Sequence, residues 1–243
     1  MRDETMIDIH CHILPGLDDG ARSMEESIEM AYIAVENGIS VVVATPHANQ
    51  RGRFENYCTP YMQYLFEEFC AQLKIRNIPL KVLQGMEIYA SMDAVKRIQE
   101  RELCSLAGTS YYLVEFPFHS QQPEMDAFLQ KMLRHGYIPV VAHPERYRCV
   151  QKYPDIVWNW RNMGCVVQVN AGSICGQFGA DCKITAQKLL ETAQVDVLAS
   201  DAHGSSWRVP QMKPAWTYLE QRYGYEFARK LLKTNAEVFL KRL

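Results

Sequence analysis

Histidines and acidic residues stand at the ends of several short apolar runs in this chain, beginning with Asp8-Ile9-His10-Cys11-His12. On a strand, residues two apart point to the same side, because successive side chains alternate. His10 and His12 can therefore offer two imidazoles to the same metal ion, whereas Cys11 should face the opposite side, toward packing.

Metal-binding side chains recur after later runs of strand-forming residues. The further candidates are His47, Glu87, Glu115, His143, Asp201 and His203, with Asp19 in a glycine turn. A single histidine at a strand end is more often structural than a ligand, but five of the seven histidines share this position, which favours a metal site. Nitrogen and oxygen ligands without thiolates are typical of Mn²⁺, Fe, Co²⁺, Mg²⁺ or Zn²⁺. Nine ligands exceed what one ion takes, so we predict two or three divalent ions that share carboxylates.

Two arginines follow ligands on separate segments. Arg146 lies three residues after His143, and Arg208 lies five residues after His203. The guanidinium group presents a planar fork of donors that matches phosphate, and clustered divalent ions activate water and hold phosphoryl oxygens. We therefore predict phosphoester hydrolysis, in which Arg146 and Arg208 bind the phosphoryl group and act in catalysis with Asp201 and His203.

Composition limits the class of protein. The 243 residues are 48% hydrophobic with a net charge of −2, which suits one domain over residues 1–243 and argues against a nucleic-acid partner. The sequence contains no apolar run of the ~18–20 residues that a membrane helix needs, and its first residues lack the apolar core of a signal peptide. We expect a cytoplasmic protein that does not insert into membranes.

The eight cysteines include no CxxC pair, so we expect reduced, mostly buried thiols rather than disulfides. Cys70 and Arg76 match the CxxxxxR spacing of cysteine-based phosphatases. That chemistry needs a glycine-rich loop whose amides hold phosphate, and here the spacing falls inside a predicted helix without glycine. A phosphocysteine mechanism is therefore not expected.

Predicted strands and helices alternate along the chain. The strands are residues 7–9, 41–44, 81–84, 111–114, 138–142, 166–169 and 195–199. The helices are residues 23–37, 61–76, 92–101, 124–135, 154–163 and 185–193, with a helical C-terminal region from about residue 209 that breaks near Gly224. Alternation of this kind is typical of a parallel sheet covered by helices.

All candidate ligands follow the carboxyl ends of predicted strands. An open sheet would spread them along an edge, whereas a closed α/β barrel would bring them together at one mouth, which favours a barrel. Residues 49–60 and 172–183 are predicted loops over that mouth. Two readings remain open for the aromatic residues beside the ligands, ordinary packing or an aromatic wall for a flat substrate. These aromatic residues are Phe116, Phe118, Tyr147 and Trp207.

The ordered motifs resemble a known family. They are IDIHCHILPGLDDGA, ATPH, GMEIY, LVEFPFH, VAHPERY and ASDAH. Together they resemble the PHP (polymerase and histidinol phosphatase) superfamily and, within it, the bacterial manganese-dependent tyrosine-protein phosphatases of capsule and exopolysaccharide operons. The resemblance runs from Met6 to the C-terminal helices. It implies a distorted (β/α)7 barrel of the PHP type with the metal site at the C-terminal ends of the strands.

The same resemblance implies a ligand assignment, with Mn²⁺ as the expected metal. The first ion would be held by His10, His12, Glu87 and Asp201. The second would be held by Glu87, Glu115 and His143, and the third by Asp19, His47 and His203. Family members dephosphorylate a tyrosine kinase at a tyrosine-rich tail, so the resemblance implies a phosphotyrosine protein of this kind as partner.

Two other functions fit the same residues. A small-molecule phosphatase, for instance one acting on histidinol phosphate, could use the same ions in a tighter pocket. A metal-stabilised protein could also bind a kinase without catalysis, although the complete ligand set and both arginines favour an enzyme.

Overall fold

Parallel strands and intervening helices alternate in the computed structural model, which describes residues 4–240. The strands are β1 (Met6–Cys11), β2 (Ile39–Ala44), β3 (His47–Ala48), β4 (Lys81–Gln84), β5 (Glu87–Tyr89), β6 (Tyr111–Glu115), β7 (Ile138–Ala142), β8 (Val166–Asn170) and β9 (Val197–Ala199). Each of the seven predicted strands overlaps one of these, whereas β3 and β5 were not predicted.

Helices cover the connections between the strands. The α-helices are α1 (Met24–Glu36), α2 (Pro60–Ile75), α3 (Ala94–Gln99), α4 (Gln122–Arg134), α5 (Arg148–Lys152), α6 (Ile156–Met163), α7 (Ala171–Cys175), α8 (Ala180–Glu191), α9 (Lys213–Tyr223), α10 (Tyr225–Arg229) and α11 (Asn235–Leu240). A 3₁₀ turn, Pro144–Arg146, follows β7. The predicted C-terminal helix and its break at Gly224 are present, and residues 241–243 lie outside the described part. Within residues 4–240, no helix is both long and apolar enough to cross a bilayer.

The strands form two sheets in which every pair is parallel. One sheet has the order β1-β2-β4, and the other has the order β3-β5-β6-β7-β8-β9. The chain passes from the first sheet to the second between β2 and β3, through Pro46, and again between β4 and β5, through Gly85. Proline has no amide hydrogen to continue a ladder, and a Cβ on Gly85 would lie 2.9 Å from Cγ1 of Val43.

The first and last strands also lie next to each other. Cys11 and Ala202 form a parallel bridge, the His12 amide donates to the Ala202 carbonyl at 2.9 Å, and the Asp201 amide donates to the His10 carbonyl at 2.9 Å. The predicted α/β fold with parallel strands and helices is therefore confirmed. Closure into a seven-stranded barrel remains a prediction.

Strand residues alternate between two apolar clusters. Val42 and Val141 pack in the larger cluster with the helices, whereas Val43 and Val140 pack in a smaller cluster on the other face of the strands. The strands are thus buried on both faces, which explains their near-continuous apolar runs. Cys11 packs in the larger cluster, as its position between two histidines predicted.

The segment predicted as a loop over residues 172–183 is largely helical, so that prediction was wrong. α7 occupies its beginning and α8 starts at Ala180, with only residues 176–179 between them. Gly176 and Gly179 both adopt positive φ and mark the turn. Glycines and small residues are typical of loops, so the sequence pattern did not indicate two helices joined by a short turn.

The expectation of exclusively reduced cysteines was also wrong. Cys58 and Cys104 form a disulfide, with Cα atoms 6.4 Å apart and a sequence separation of 46. The loop before α2 lies against the segment that follows α3, and the Cys58 amide donates to the Glu102 carbonyl at 2.8 Å. This proximity arises from the fold, so cysteine spacing gave no signal of it. Among the free thiols, Cys11, Cys165 and Cys182 are buried.

Candidate metal centre

All nine predicted ligands are brought to the carboxyl edge of the strands. They come from β1, from the starts of β3 and β5, from the end of β6, and from the segments that follow β1, β7 and β9. Most of them line a cavity of about 360 Å³ that also contains Arg146 and Arg208. The order of the strands in the fold thus assembles groups that are up to 193 residues apart, from His10 to His203.

Glu87 lies at the centre of this cluster. Its Oε2 atom is 3.1 Å from Nε2 of His10, 3.2 Å from Nε2 of His12 and 3.0 Å from Nδ1 of His47. Its Oε1 atom is 2.9 Å from Nε2 of His143. Oε2 is buried without a hydrogen-bond partner among residues 4–240, and a buried carboxylate oxygen surrounded by imidazole nitrogens fits a metal cation.

Four of the ligands form a compact, fully buried set. One donor atom each from His10, His12, Glu87 and Asp201 lies within 4.8 Å of the others. Oδ1 of Asp201 is 3.4 Å from Nε2 of His10 and 3.6 Å from Nε2 of His12. Two imidazoles and two carboxylates can hold one divalent ion, and this set is the one that the resemblance implied.

The other ligands form overlapping sets. Donor atoms of His47, Glu87 and Glu115 lie within 4.8 Å of one another, and so do those of His12, His47 and His203. These two sets differ from the second and third sets that the resemblance implied, whose members lie near one another with longer separations. His143 lies 3.7 Å from Glu115, and Oδ1 of Asp19 lies 3.5 Å from His47 and 3.6 Å from His203. His47 belongs to both regions, because Nδ1 faces Glu87 while Nε2 faces Asp19.

Burial, followed by neighbouring charges, shifts the pKa values of these ligands. Burial and the neighbouring Glu87 raise the pKa of Glu115 to about 8. Burial and the adjacent His12 lower the pKa of His203 to about 2, and burial lowers that of His143 to about 4. His203 and His143 are therefore neutral near pH 7, which is the form that binds metal. A divalent cation would also relieve the repulsion between Glu87 and Glu115.

Asp201 connects the ligand cluster to both arginines. Its Oδ1 faces His10 and His12, while its Oδ2 accepts from Nη1 of Arg146 at 3.2 Å and pairs with Nη2 of Arg208. Arg208 also donates to the Asp201 carbonyl at 2.8 Å, and its buried Nε has no partner among the described residues. A donor left free beside the cavity suits an anion such as phosphate.

Phe178, which the sequence reasoning missed, lies against both guanidinium groups. The Cζ atoms of Arg146 and Arg208 are 5.1 and 5.2 Å from its ring centroid. Phe118 lies on the other side, 4.4 Å from Arg146. Stacking on rings restricts the two side chains without using their donors. Phe178 falls in the segment taken for a loop, so no periodicity marked it.

The aromatic residues beside the ligands divide between the two readings. Phe116 and Tyr147 are buried, and the Tyr147 hydroxyl accepts from the Phe116 amide, so these two are packing residues. Phe118 is 39% exposed and lines the cavity. Trp207 is 75% exposed and does not line that cavity, whereas Phe116 and Tyr89 line it beside Phe118.

Asp18 is a second residue that the sequence reasoning missed. Its Oδ2 lies 2.7 Å from Nδ1 of His12 and accepts from the His47 amide at 2.7 Å. Burial opposes ionisation, but the imidazole of His12 lowers the pKa of Asp18 to about 2. A carboxylate on the outer nitrogen orients a metal-binding imidazole. The acidic pair Asp18-Asp19 signalled the site, but only Asp19 was assigned a role.

Three site residues adopt backbone conformations that are rare outside glycine. φ is +33° at His143, +52° at Asp201 and +49° at Arg208. Such conformations persist where the surrounding contacts enforce them, and they are frequent at functional sites. Both arginine-bearing segments are therefore held in defined positions beside the cluster.

Cys11 and Cys70 are poorly suited to act as nucleophiles. Burial raises the pKa of the Cys11 thiol well above its usual range. Cys70 lies within α2, and burial raises its pKa as well. Neither residue forms a readily ionised thiolate, in agreement with the expectation from sequence.

Known proteins resemble this chain over nearly its full length. A family model described as capsular polysaccharide synthesis, CpsB/CapC, matches residues 6–241. The chain belongs to the CpsB/CapC family. The tyrosine-protein phosphatase YwqE of Bacillus subtilis is 37% identical over 236 residues, covering 97% of this chain and 92% of that protein. The tyrosine-protein phosphatase CpsB of Streptococcus pneumoniae is 33% identical and covers 95% of this chain and 96% of that protein.

Solved structures agree with this membership in the CpsB/CapC family. A chain from the crystal structures of YwqE from Bacillus subtilis and CpsB from Streptococcus pneumoniae, described as unique metal-dependent tyrosine phosphatases, matches with a TM-score of 0.90 at 37% identity. It covers 97% of this chain and 94% of its own. The phosphotriesterase homology protein of Escherichia coli matches with a TM-score of 0.63 at 13% identity, which shows a shared fold alone. The resemblance to phosphatases of capsule operons is thereby confirmed.

Proposed function

We propose that this CpsB/CapC protein is a metal-dependent protein-tyrosine phosphatase. The observation that carries the proposal is the position of Asp201, which faces imidazole ligands with one oxygen and both arginines with the other. A phosphoryl group held by the arginines would therefore lie against the metal ligands. The activity named for YwqE and CpsB agrees with this arrangement.

The nine ligands would hold two or three divalent ions, with Mn²⁺ as our proposal for the native metal and Fe, Co²⁺, Mg²⁺ or Zn²⁺ as alternatives. Bound ions would supply an activated water for attack on phosphorus and would neutralise phosphoryl charge. We assign His10, His12, Glu87 and Asp201 to the most buried ion. Glu115, His143, Asp19, His47 and His203 would share the remaining ions with Glu87.

The protein groups around the phosphoryl site have separate roles. Arg146 and Arg208 would each donate to phosphoryl oxygens and stabilise the charge that develops during displacement. Asp201 and His203 would hold the arginines and the ion cluster in fixed positions relative to each other. Phenolate, with a pKa of about 10, leaves more readily than an alkoxide, so its proton can come from solvent without a dedicated acid. Phe118 lines the cavity and would contact the phenyl ring.

We further propose that the two sheets form one distorted seven-stranded (β/α)7 barrel of the PHP type, joined where β1 meets β9, as a single domain over residues 1–243. The substrate would be a phosphotyrosine on a bacterial tyrosine kinase with a tyrosine-rich tail, which would connect the enzyme to capsule or exopolysaccharide synthesis in the cytoplasm. The family description supports the connection to capsule synthesis, and the net charge of −2 argues against a nucleic-acid substrate.

The test is phosphate release by metal-stripped protein with and without Mn²⁺. The substrates are a phosphotyrosine peptide, p-nitrophenyl phosphate and histidinol phosphate. We expect Mn²⁺-dependent hydrolysis of the peptide with little turnover of histidinol phosphate. A preference for histidinol phosphate would replace the proposal by a small-molecule phosphatase. No phosphate release from any of the three substrates, with bound metal verified, would favour a binding protein without catalytic activity.

A further inference from the structure

Strand β8 differs from its neighbours at the carboxyl edge. β7 and β9 are followed by candidate ligands, whereas the described end of β8 presents the amides Gln168 and Asn170 on the same side. Both amides are completely buried. Buried polar side chains need hydrogen-bond partners, so their presence in an otherwise apolar strand calls for a specific set of contacts.

The contacts form an unbroken chain between two candidate metal ligands. Nδ1 of His10 lies 2.9 Å from Oε1 of Gln168, and Nε2 of Gln168 donates to Oδ1 of Asn170 at 2.9 Å. Nδ2 of Asn170 then donates to Oδ2 of Asp201 at 2.7 Å. Every link has a donor facing an acceptor. The direction of the chain requires a proton on Nδ1 of His10, which leaves the lone pair of Nε2 free for the metal side.

Asn170 also meets the arginines at a shared atom. Oδ2 of Asp201 accepts from Asn170, Arg146 and Arg208, so the amide fixes the oxygen on which both guanidinium groups converge. The backbone of Asn170 is also held, because its main-chain N–H donates to Oε1 of Glu145 at 3.1 Å. The relay therefore touches the metal side of the site through His10 and the phosphate side through Asp201.

We propose that Gln168 and Asn170 are positioning residues that set the tautomer of His10 and the orientation of Asp201, and so couple the metal cluster to the phosphate-binding arginines. The inference rests on the metal centre of the proposed function, but it does not depend on which phosphoester is cleaved. Neither residue reaches the cavity that would hold substrate. Both act through the ligands they contact.

The test uses the full-length, metal-stripped protein and Mn²⁺ alone, with affinity measured calorimetrically in the absence of substrate. Gln168→Met removes both hydrogen-bonding groups at similar volume and should weaken Mn²⁺ binding by about tenfold to a hundredfold. Gln168→Glu keeps an acceptor for His10 and should retain clearly more affinity. Gln194→Met is the matched control, because Gln194 is another buried amide, and its side chain donates to the Thr192 hydroxyl, away from the cluster.

The relay also predicts non-additivity. Gln168→Met and Asn170→Leu interrupt the same series of hydrogen bonds. The double variant should therefore bind Mn²⁺ with about the same affinity as whichever single variant binds it more weakly. Simple addition of the two losses, or Mn²⁺ affinity within about twofold of the unchanged protein in both single variants, would overturn the proposal. Should Gln168→Met not fold, Asn170→Ser decides: a loss of about fivefold or more supports the relay, and unchanged affinity overturns it. Because no substrate is present, failure of the phosphatase assignment would leave these results interpretable.

Discussion

The carboxylate of Asp18 lies 2.7 Å from Nδ1 of His12, on the side of the ring that faces away from Glu87. The same carboxylate accepts the backbone amide of His47. A residue outside the candidate ligand set thus orients one candidate ligand and holds the backbone amide of another. Loss of such an outer contact typically weakens metal affinity by about tenfold to a hundredfold.

Asp18→Asn is expected to weaken Mn²⁺ binding about tenfold to a hundredfold, because the amide loses the charge that makes His12 a better donor. Isothermal titration of stripped protein measures the change. Asp181→Asn, which alters another acid near the start of α8, is the control and should bind normally. Equal affinity in the two variants would show that Asp18 does not support His12.

Gly20 is required by close packing. A Cβ at this position would lie 2.3 Å from the His12 carbonyl oxygen and 2.5 Å from the His12 Cβ. Gly20→Ala should therefore displace the turn that carries Asp18 and Asp19, with a loss of about 1–3 kcal/mol of stability and weaker metal binding. Thermal unfolding and Mn²⁺ titration measure both effects.

Gly136→Ala provides the comparison for Gly20. Gly136 has a φ of +78° but open space around its missing Cβ. Gly136→Ala should lower the free energy of unfolding by about 1–2 kcal/mol, because alanine is disfavoured in the left-handed conformation. Its affinity for Mn²⁺ should not change. If Gly20→Ala behaved in the same way, the turn would not be part of the metal centre.

The arginine pair should bind phosphate through its forked geometry. Arg208→Lys retains the charge but cannot make paired bonds, so kcat/KM for a phosphotyrosine peptide should fall by about a hundredfold. Mn²⁺ affinity should change little, which separates this variant from those at the ligands. Arg222→Lys, at a surface pair with Glu191, is the control. A normal kcat/KM in Arg208→Lys would remove Arg208 from the phosphate site.

Cys11 should be dispensable for catalysis although it lies between two ligands. Its thiol packs in the apolar cluster and burial raises its pKa, so Cys11→Ser is expected to keep most activity at some cost in stability. His47→Ala should abolish activity, since His47 faces Glu87 and Asp19. Initial rates with saturating Mn²⁺ test both. Near-total loss in Cys11→Ser with metal retained would point to a covalent mechanism.

Glu145 should make the stability of the metal-free protein depend on pH. Burial raises its pKa from an ordinary 4.5 to about 7. The folded state then holds a proton that the unfolded state releases, so this stabilising contribution is complete below pH 4.5 and is lost as pH rises toward 7. The change amounts to roughly 3 kcal/mol. Urea unfolding of stripped protein across this range should show less pH dependence in Glu145→Gln than in the unchanged chain. Parallel curves would rule out the shift.

Much of the fold and of the ligand set could be predicted from the sequence because the relevant signals are local. Period-two alternation, β-branched runs and helix-ending glycines located all seven predicted strands, and ligand side chains stand directly at the ends of those strands. Parallel strands with helices between them bring their carboxyl ends to one edge, so convergence of His10, Glu87 and Asp201 followed from topology alone. The family motifs added the assignment to individual ions.

Groups that act through another residue were decided only by the tertiary structure. The roles of Asp18, Gln168, Asn170 and Phe178 could not be assigned from the sequence, because they depend on which side chain from a distant segment comes to face them. The Cys58–Cys104 disulfide is of the same kind, since it joins two segments that meet only in the folded chain. Local pattern fixes which residues a strand presents at its end, whereas hydrogen-bond partners and ring contacts are set by packing between strands far apart in sequence.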